Sequence, residues 1–144
     1  MSSTAKNDIF YTATVLEYIA RKTKNRRADI AEMIGIDGIR QIYEFADVNH
    51  CLPLAQVSDE LVKEHRIVEG DYSPESLVNK PPSYTAIGKV YARLVEDAQE
   101  DSQEYPKELF LVFKSKIAEW MTNYKSAFFY SPRDYIFHSY QEIK

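Results

Sequence analysis

The sequence predicts an all-α protein, folded as a compact bundle of six or seven helices. Apolar residues recur at roughly every third or fourth position along most of the chain, which is the spacing of a helix face rather than of a strand. Glycine occurs only 4 times in 144 residues, so the chain has few sites for the tight turns that join short strands. Both observations favour helices throughout.

The chain has the usual length of one domain, and we expect a single helical domain over residues 1–144. Within it, the helical patterns form two halves, about 1–67 and 83–144. The connection at 68–82 is rich in residues that interrupt helices, among them Gly70, Pro74, Pro81 and Pro82. No internal repeat is evident.

Three segments make up the predicted N-terminal half. The first helix covers about 8–22, with Asn7 as its N-cap, and it is apolar on two faces. Such a helix either lies at the centre of a core or forms half of a dimer contact. The stretch 27–48 reads as a short helix, a corner at Gly35 and a longer second helix. A further helix runs from about 54 to 66.

The predicted C-terminal half begins after a helical turn at 73–75. One helix starts near Ser83 and frays near Gln99, and a long helix follows from Pro106 to Tyr124. A last helix is predicted from the sequence Ser131-Pro132, with serine as the cap and proline in the first turn.

Composition and charge restrict the functional classes. The net charge is −4, which argues against a general nucleic-acid binder. Cys51 is the only cysteine, so neither an internal disulfide nor a cysteine zinc site can form, and this fits a reducing cytoplasm. No signal peptide or membrane span is evident. We therefore expect a soluble, cytoplasmic protein without a membrane partner.

Aromatic residues are abundant, with 11 Tyr, 7 Phe and 1 Trp. Seven of them lie between residues 124 and 140. This aromatic segment forms either a core that locks the C-terminal helices together, which we favour, or an exposed binding surface.

Basic residues concentrate in the stretch 21–27. They either form a solvated turn that complements the dipole of the first helix or contact phosphates or an acidic partner. The candidate contact residues are Lys22, Lys24, Arg26 and Arg27, together with Arg40 on the next helix.

A helix-turn-helix reading of 27–48 supports DNA binding as an alternative function. Arg40 and Gln41 suit base edges or phosphates. However, the second helix also carries Glu44 and Asp47, which repel phosphate.

No catalytic motif is visible. The three histidines are far apart in the sequence, and Cys51 follows His50 directly, where helical neighbours point about 100° apart. We therefore predict no catalytic residues, no cofactor and no metal. A deep pocket with two or more titratable groups would argue for a hidden enzyme.

Asp47 and His50 form a candidate polar site. An acid three residues before a histidine lies on the same helical face. The pair is either a binding site or, as we favour, a buried hydrogen-bonded pair that fixes the corner before Pro53.

Residues 10–65 resemble a small bacterial family of helical domains of unknown function. Its members show a helix, a short second helix and a Tyr-Asp-Val-Leu-His segment. Here residues 46–50 read Ala-Asp-Val-Asn-His, so Asp, Val and His match while Tyr and Leu do not. Members are often encoded beside proteins that resemble ADP-ribosyltransferase toxins. The resemblance implies an accessory or antitoxin-like role and covers less than half of the chain.

Together these observations predict a non-enzymatic protein–protein interaction module. Its partner is another protein or a second copy in a homodimer. A DNA-binding regulator that uses the segment 27–48 is the alternative.

Overall fold

An all-α architecture is confirmed over residues 2–144, the part of the chain that the computed structural model describes, with side chains from Thr4 onward. This part has eight α-helices and no strand. The helices are α1 (Ser2–Thr23), α2 (Arg27–Glu44), α3 (Ala46–Asn49), α4 (Leu54–Glu64), α5 (Tyr84–Ala98), α6 (Tyr105–Lys114), α7 (Lys116–Thr122) and α8 (Arg133–Ile143). The number is eight rather than six or seven because two predicted helices are each divided, while the short helix and the start of the longer helix predicted within 27–48 are joined in α2.

Helix α1 lies at the centre of the bundle. It packs against α2 and α4 from its own half and against α5 from the other half. Its apolar residues on both faces are fully buried, including Ile9, Leu16 and Ile19. The two apolar faces are therefore explained within one chain, without a dimer contact. The helix begins before the predicted Asp8, since Ala5 already packs into the core, so Asn7 is not its cap.

The corner predicted at Gly35 in the stretch 27–48 is a kink inside α2. Gly35 has φ 78° and ψ 166°, a conformation that is essentially confined to glycine. The change of direction lets apolar residues on both sides of it, such as Ile30 and Ile39, enter the same core. The part of α2 after the kink ends at Glu44, and the separate short helix α3 follows. The longer helix predicted to reach residue 48 is therefore wrong in its length.

Helix α5 joins the two halves. The side chain of Ser83 caps it by accepting a hydrogen bond from the Ala86 N–H at 3.0 Å. Gly88 then lies directly against Thr14 of α1, and this close approach leaves no room for a side chain. One hydrophobic core contains residues from both halves of the chain.

Two further predicted helix boundaries were wrong. The long helix predicted from Pro106 to Tyr124 breaks at Ser115, whose hydroxyl donates to the Val112 carbonyl at 2.6 Å and accepts from the Ile117 N–H at 3.2 Å. These local bonds replace helical ones and start α7. Ser131 makes no capping bond to α8, because Pro132 occupies the cap position and the helix begins one residue later than predicted.

The connection at 68–82 has the predicted helical turn, a 3-10 turn at Pro74–Leu77. No helix in residues 2–144 is both long and apolar enough to cross a membrane.

Candidate functional site

A cavity of about 410 Å³ lies between α1 and α3, and we call it the α1–α3 cavity. Its volume falls in the range of small-ligand sites. Asp47 and His50 both line it, so the two residues that the sequence placed on one face do share a site. The full lining is Thr4, Asn7, Asp8, Phe10, Tyr11, Thr14, Ala46, Asp47, His50 and Thr85.

Two carboxylates give the cavity a negative character. Burial raises the pKa of Asp8, and the nearby charge of Asp47 raises it further, while His50 acts in the opposite direction. Neither aspartate has a salt-bridge partner among the described residues. No lysine or arginine lines the cavity. Each carboxylate therefore lies in the negative field of the other, and His50 is the one side chain of the lining that acts against this field.

Tyr11 adds an unpaired polar group to the same wall. Its hydroxyl is buried and has no hydrogen-bond partner within the described part of the molecule. Burial raises the pKa of this phenol, so the hydroxyl stays neutral. The neighbouring Phe10 contributes an apolar ring to the lining.

Asp8 and Tyr11 were not predicted as site residues. Their spacing of three places them on one face of α1, but nothing local shows that this face meets α3. A helix that starts at about residue 8, as predicted, would make Asp8 an acid of the first turn, where it favours the helix start. Because α1 begins well before it, that explanation does not hold, and Asp8 is an acid in the middle of a buried helix.

The favoured interpretation of Asp47 and His50 was wrong. Both side chains are exposed rather than buried, and His50 Nδ1 lies 3.0 Å from the Ala46 carbonyl oxygen instead of bonding to Asp47. Cys51 Sγ lies 3.8 Å from His50 Nε2. The sequence predicts that the side chains of His50 and Cys51 point apart, as neighbours in a helix do. This expectation is wrong because α3 ends at Asn49, so neither residue lies in a helix.

The cavity combines carboxylates, an imidazole and a phenol, which are groups able to bind and to exchange protons. Cys51, the one thiol, is not part of its lining. Among the residues from Ser2 onward that the structure describes, no three His, Cys, Asp or Glu side chains are grouped to hold a metal ion. The convergence of two or more titratable groups in one pocket is the feature stated above to argue for a hidden enzyme, and the same groups can also bind a ligand through hydrogen bonds and charge.

Four of the five predicted basic contact residues interact with other groups of the chain at or near its surface. Lys22 pairs with Asp59 at 2.8 Å, Lys24 pairs with Glu69 at 3.8 Å, the Arg26 guanidinium lies 4.3 Å from the Tyr72 ring centroid, and Arg40 donates to the Gln103 carbonyl at 3.1 Å.

For the fifth residue, Arg27, the prediction of a surface contact was wrong. Its side chain is only 1% exposed and forms a buried ion pair with Glu17, so it cannot contact a partner at the surface. Glu17 in turn binds Arg21 through Oε2 at 2.8 Å. Buried carboxylates attract arginine because an unpaired charge in the core is costly. The basic stretch thus divides into surface residues and a core residue.

The C-terminal aromatic segment is partly core and partly exposed. Phe129 and Tyr140 are buried. By contrast, Tyr135 is 57% exposed, and Trp120, which precedes the segment, is 38% exposed. The core interpretation therefore holds for only part of the segment.

We call Trp120, Phe128 and Tyr135 the aromatic surface. The Phe128 ring joins the other two, with centroids 5.5 Å from Trp120 and 6.2 Å from Tyr135. These three side chains line a groove of about 470 Å³. The other residues of the groove are Asn123, Ser126, Ser131, Ser139 and Glu142.

Comparison with protein-family models, with curated proteins and with solved structures gives no match to this chain. The resemblance of residues 10–65 therefore stays a prediction.

Proposed function

We propose that the chain is a cytoplasmic, non-enzymatic bacterial protein that acts through protein–protein contact, and that the aromatic surface is its contact area. The observation that supports this is the exposure of Trp120 and Tyr135 beside one groove. Tryptophan and tyrosine are enriched in the energetically important centres of protein interfaces. The uncharged hydroxyl and amide groups around them suit the rim of such a contact.

Charge favours a second copy of the chain as the occupant. In a two-fold symmetric contact each surface meets itself, so any excess charge on it is doubled. A protein of net charge −4 can therefore pair best through a nearly neutral surface. Glu142 is the one charged residue that lines the groove.

Trp120 provides a direct readout, because it is the only tryptophan in the sequence. We expect a dimer in light scattering and a blue shift of the tryptophan emission as the protein concentration rises. In Tyr135→Ala, dimer formation and the blue shift should both require a higher protein concentration, while Trp120 remains available as the fluorescent reporter. Leu77→Ala, which shortens an exposed apolar side chain outside the aromatic surface, is the matched control and should change neither.

A monomer at every accessible concentration, with an emission maximum that does not move, would contradict the homodimer. Equal effects of Tyr135→Ala and Leu77→Ala would place the contact elsewhere.

An antitoxin-like or accessory role is a finer proposal within this function, and it follows from the resemblance of residues 10–65. It predicts that the purified chain binds the product of a neighbouring toxin-like gene and suppresses its toxicity on co-expression. A growth defect that co-expression leaves unchanged would count against this role.

The structure offers little support for the DNA-binding alternative, because the basic residues proposed to contact DNA already interact with other groups of the chain. It predicts salt-dependent retardation of duplex DNA that weakens in Arg26→Ala. Arg27→Ala is unsuitable for this test, since it would disturb the core. The absence of a shift at low salt would end the alternative.

A further inference from the structure

The α1–α3 cavity has a chemistry that the aromatic surface does not use. Asp8 and Asp47 contribute two carboxylates to its lining, which contains no lysine or arginine, and His50 is the one side chain there that acts against their charge. Two carboxylates facing a single imidazole in a partly buried cavity leave a net negative field. An anionic ligand would be repelled, while a cation would supply the missing counter-charge.

The kind of cation follows from the other walls. A metal ion needs several convergent ligands, and no such group is formed by the described residues. Phe10 and Tyr11 present aromatic rings, which attract an organic ammonium and also cover an apolar body. Threonine and asparagine side chains add hydrogen-bonding groups.

We propose that the α1–α3 cavity binds an organic amine in its protonated form, with the ammonium between Asp8 and Asp47 and the apolar body against Phe10 and Tyr11. An ammonium has three donors and no acceptor, so carboxylate oxygens satisfy it. The same chemistry is available from a free small amine or from a lysine side chain of another protein. The shared group is the alkylammonium.

Binding also improves the electrostatics of the site. A cation between the two aspartates removes the repulsion that they exert on each other. Most of the lining belongs to α1 and α3, which the buried side chains of Ile9 and Ala46 anchor in the protein interior.

A series of probes of similar shape isolates the effect of the ligand's charge on binding. Phenethylamine, phenethyl alcohol and phenylacetate have nearly the same shape and differ in being cationic, neutral and anionic. We expect saturable binding of phenethylamine in NMR titrations, with shifts at Asp8, Asp47 and His50. The alcohol should bind at least about tenfold more weakly, because it loses a charge-assisted hydrogen bond, and phenylacetate should not bind. Nα-acetyl-lysinamide is a further probe, because it presents a lysine side chain without a free α-amino group. Its affinity relative to phenethylamine distinguishes a lysine side chain of another protein from a free small amine as the source of the alkylammonium.

Variants locate the site. Asp8→Asn and Asp47→Asn keep the shape of the cavity and remove one charge each, so each should weaken phenethylamine binding roughly tenfold. Asp37→Asn removes an exposed charge of α2 that does not line the cavity, and it should leave the affinity unchanged. Circular dichroism confirms that each variant is folded.

The inference is overturned if phenethylamine and phenethyl alcohol bind equally, or if neither shifts the resonances of the cavity residues. It is equally overturned if Asp37→Asn weakens binding as much as the two cavity variants. The probe series uses the unaltered chain, so it decides the question even if a variant fails to fold. Because the aromatic surface is not involved, these outcomes are independent of the dimer test.

Discussion

Arg27 and Glu17 form a two-pronged ion pair inside the hydrophobic core. Arg27 Nη2 donates to Glu17 Oε2 at 2.6 Å, and Arg27 Nε donates to Glu17 Oε1 at 3.1 Å. Glu75 accepts a further bond from Arg27 at 2.9 Å and one from the Tyr124 hydroxyl at 2.5 Å. The connection at 68–82 is thereby tied to α1, to α2 and to the segment after α7.

The first prediction concerns the loss of the arginine. Arg27→Met keeps much of the side-chain volume but leaves Glu17 with one arginine fewer in the core. We expect a loss of about 3–5 kcal/mol in the free energy of unfolding, because breaking a buried pair leaves an uncompensated charge. Urea unfolding monitored by circular dichroism measures this change.

Arg26→Met is the matched control for that experiment. Arg26 is exposed and lies over the Tyr72 ring, so its replacement should cost less than about 1 kcal/mol. Equal losses in the two variants would show that Arg27 is not buried as described.

The second prediction is an acid dependence of stability that originates from Glu17. Burial tends to raise the pKa of this carboxyl, but its ion pairs with Arg27 and Arg21 outweigh burial and lower the pKa. A depressed pKa means that the unfolded chain binds the proton more readily than the folded chain. The contribution of Glu17 is therefore present above the ordinary glutamate pKa and is lost as the pH falls below it.

Urea unfolding at a series of pH values from neutral to acidic checks this dependence. In Glu17→Gln the free energy of unfolding should fall less steeply with decreasing pH over the acidic range. The variant should nevertheless be less stable than the original protein at every pH. Glu119→Gln, which alters an exposed carboxyl of α7, should preserve the slope of the original protein. An unchanged slope in Glu17→Gln would assign the acid dependence to other groups.

The sequence predicts the helices better than the roles of their charged residues. Apolar spacing identifies the core positions of α1 and α5, and the corner at Gly35 follows from the residue type. Arg27 could not be separated from Arg26, because adjacent positions in one basic stretch look alike. Only the three-dimensional position of Glu17, ten residues earlier, decides which arginine is buried.

The candidate site was predictable only in part, for the same physical reason. Asp47 and His50 share a face through local helical spacing, which a sequence reveals. Their partners Asp8 and Tyr11 lie on another helix, and tertiary packing alone brings them together. The break at Ser115 was missed because hydrogen bonds of one hydroxyl compete with an otherwise regular helical pattern.

The third prediction concerns Tyr43 at high pH. Burial, supported by the negative charge of Asp8, raises the pKa of Tyr43 to about 12. Its hydroxyl also donates to the Ser102 carbonyl at 2.9 Å. A tyrosine ionises near pH 10 in an unfolded chain, so the stability that Tyr43 contributes is present below about pH 10 and is lost as the pH rises toward the folded value.

A difference titration of tyrosinate absorbance between the original protein and Tyr43→Phe measures this group alone. The difference should have its midpoint near pH 12 in the folded protein. In urea the same difference should move to about pH 10, which is the internal control. A folded-state midpoint equal to the unfolded one would contradict the burial of Tyr43.

The fourth prediction tests the contact between α5 and α1 through the sign of one substitution. Gly88 lies within α5, where replacement of glycine by alanine would by propensity alone stabilise the helix by about 1 kcal/mol. A Cβ atom at this position, however, would lie 3.0 Å from Thr14 Cα and 3.1 Å from Thr14 N. Backbone atoms of the central helix cannot move aside cheaply, so we expect Gly88→Ala to destabilise the protein by about 1–3 kcal/mol.

Urea unfolding of Gly88→Ala decides between the two signs, with Lys89→Ala as a control at the adjacent exposed position of the same helix. Lys89→Ala should change the free energy of unfolding by no more than about 0.5 kcal/mol. A stabilised Gly88→Ala variant would mean that α5 does not approach α1 at Thr14. Because Thr14 also lines the α1–α3 cavity, a destabilised variant should in addition shift the NMR resonances of the cavity residues.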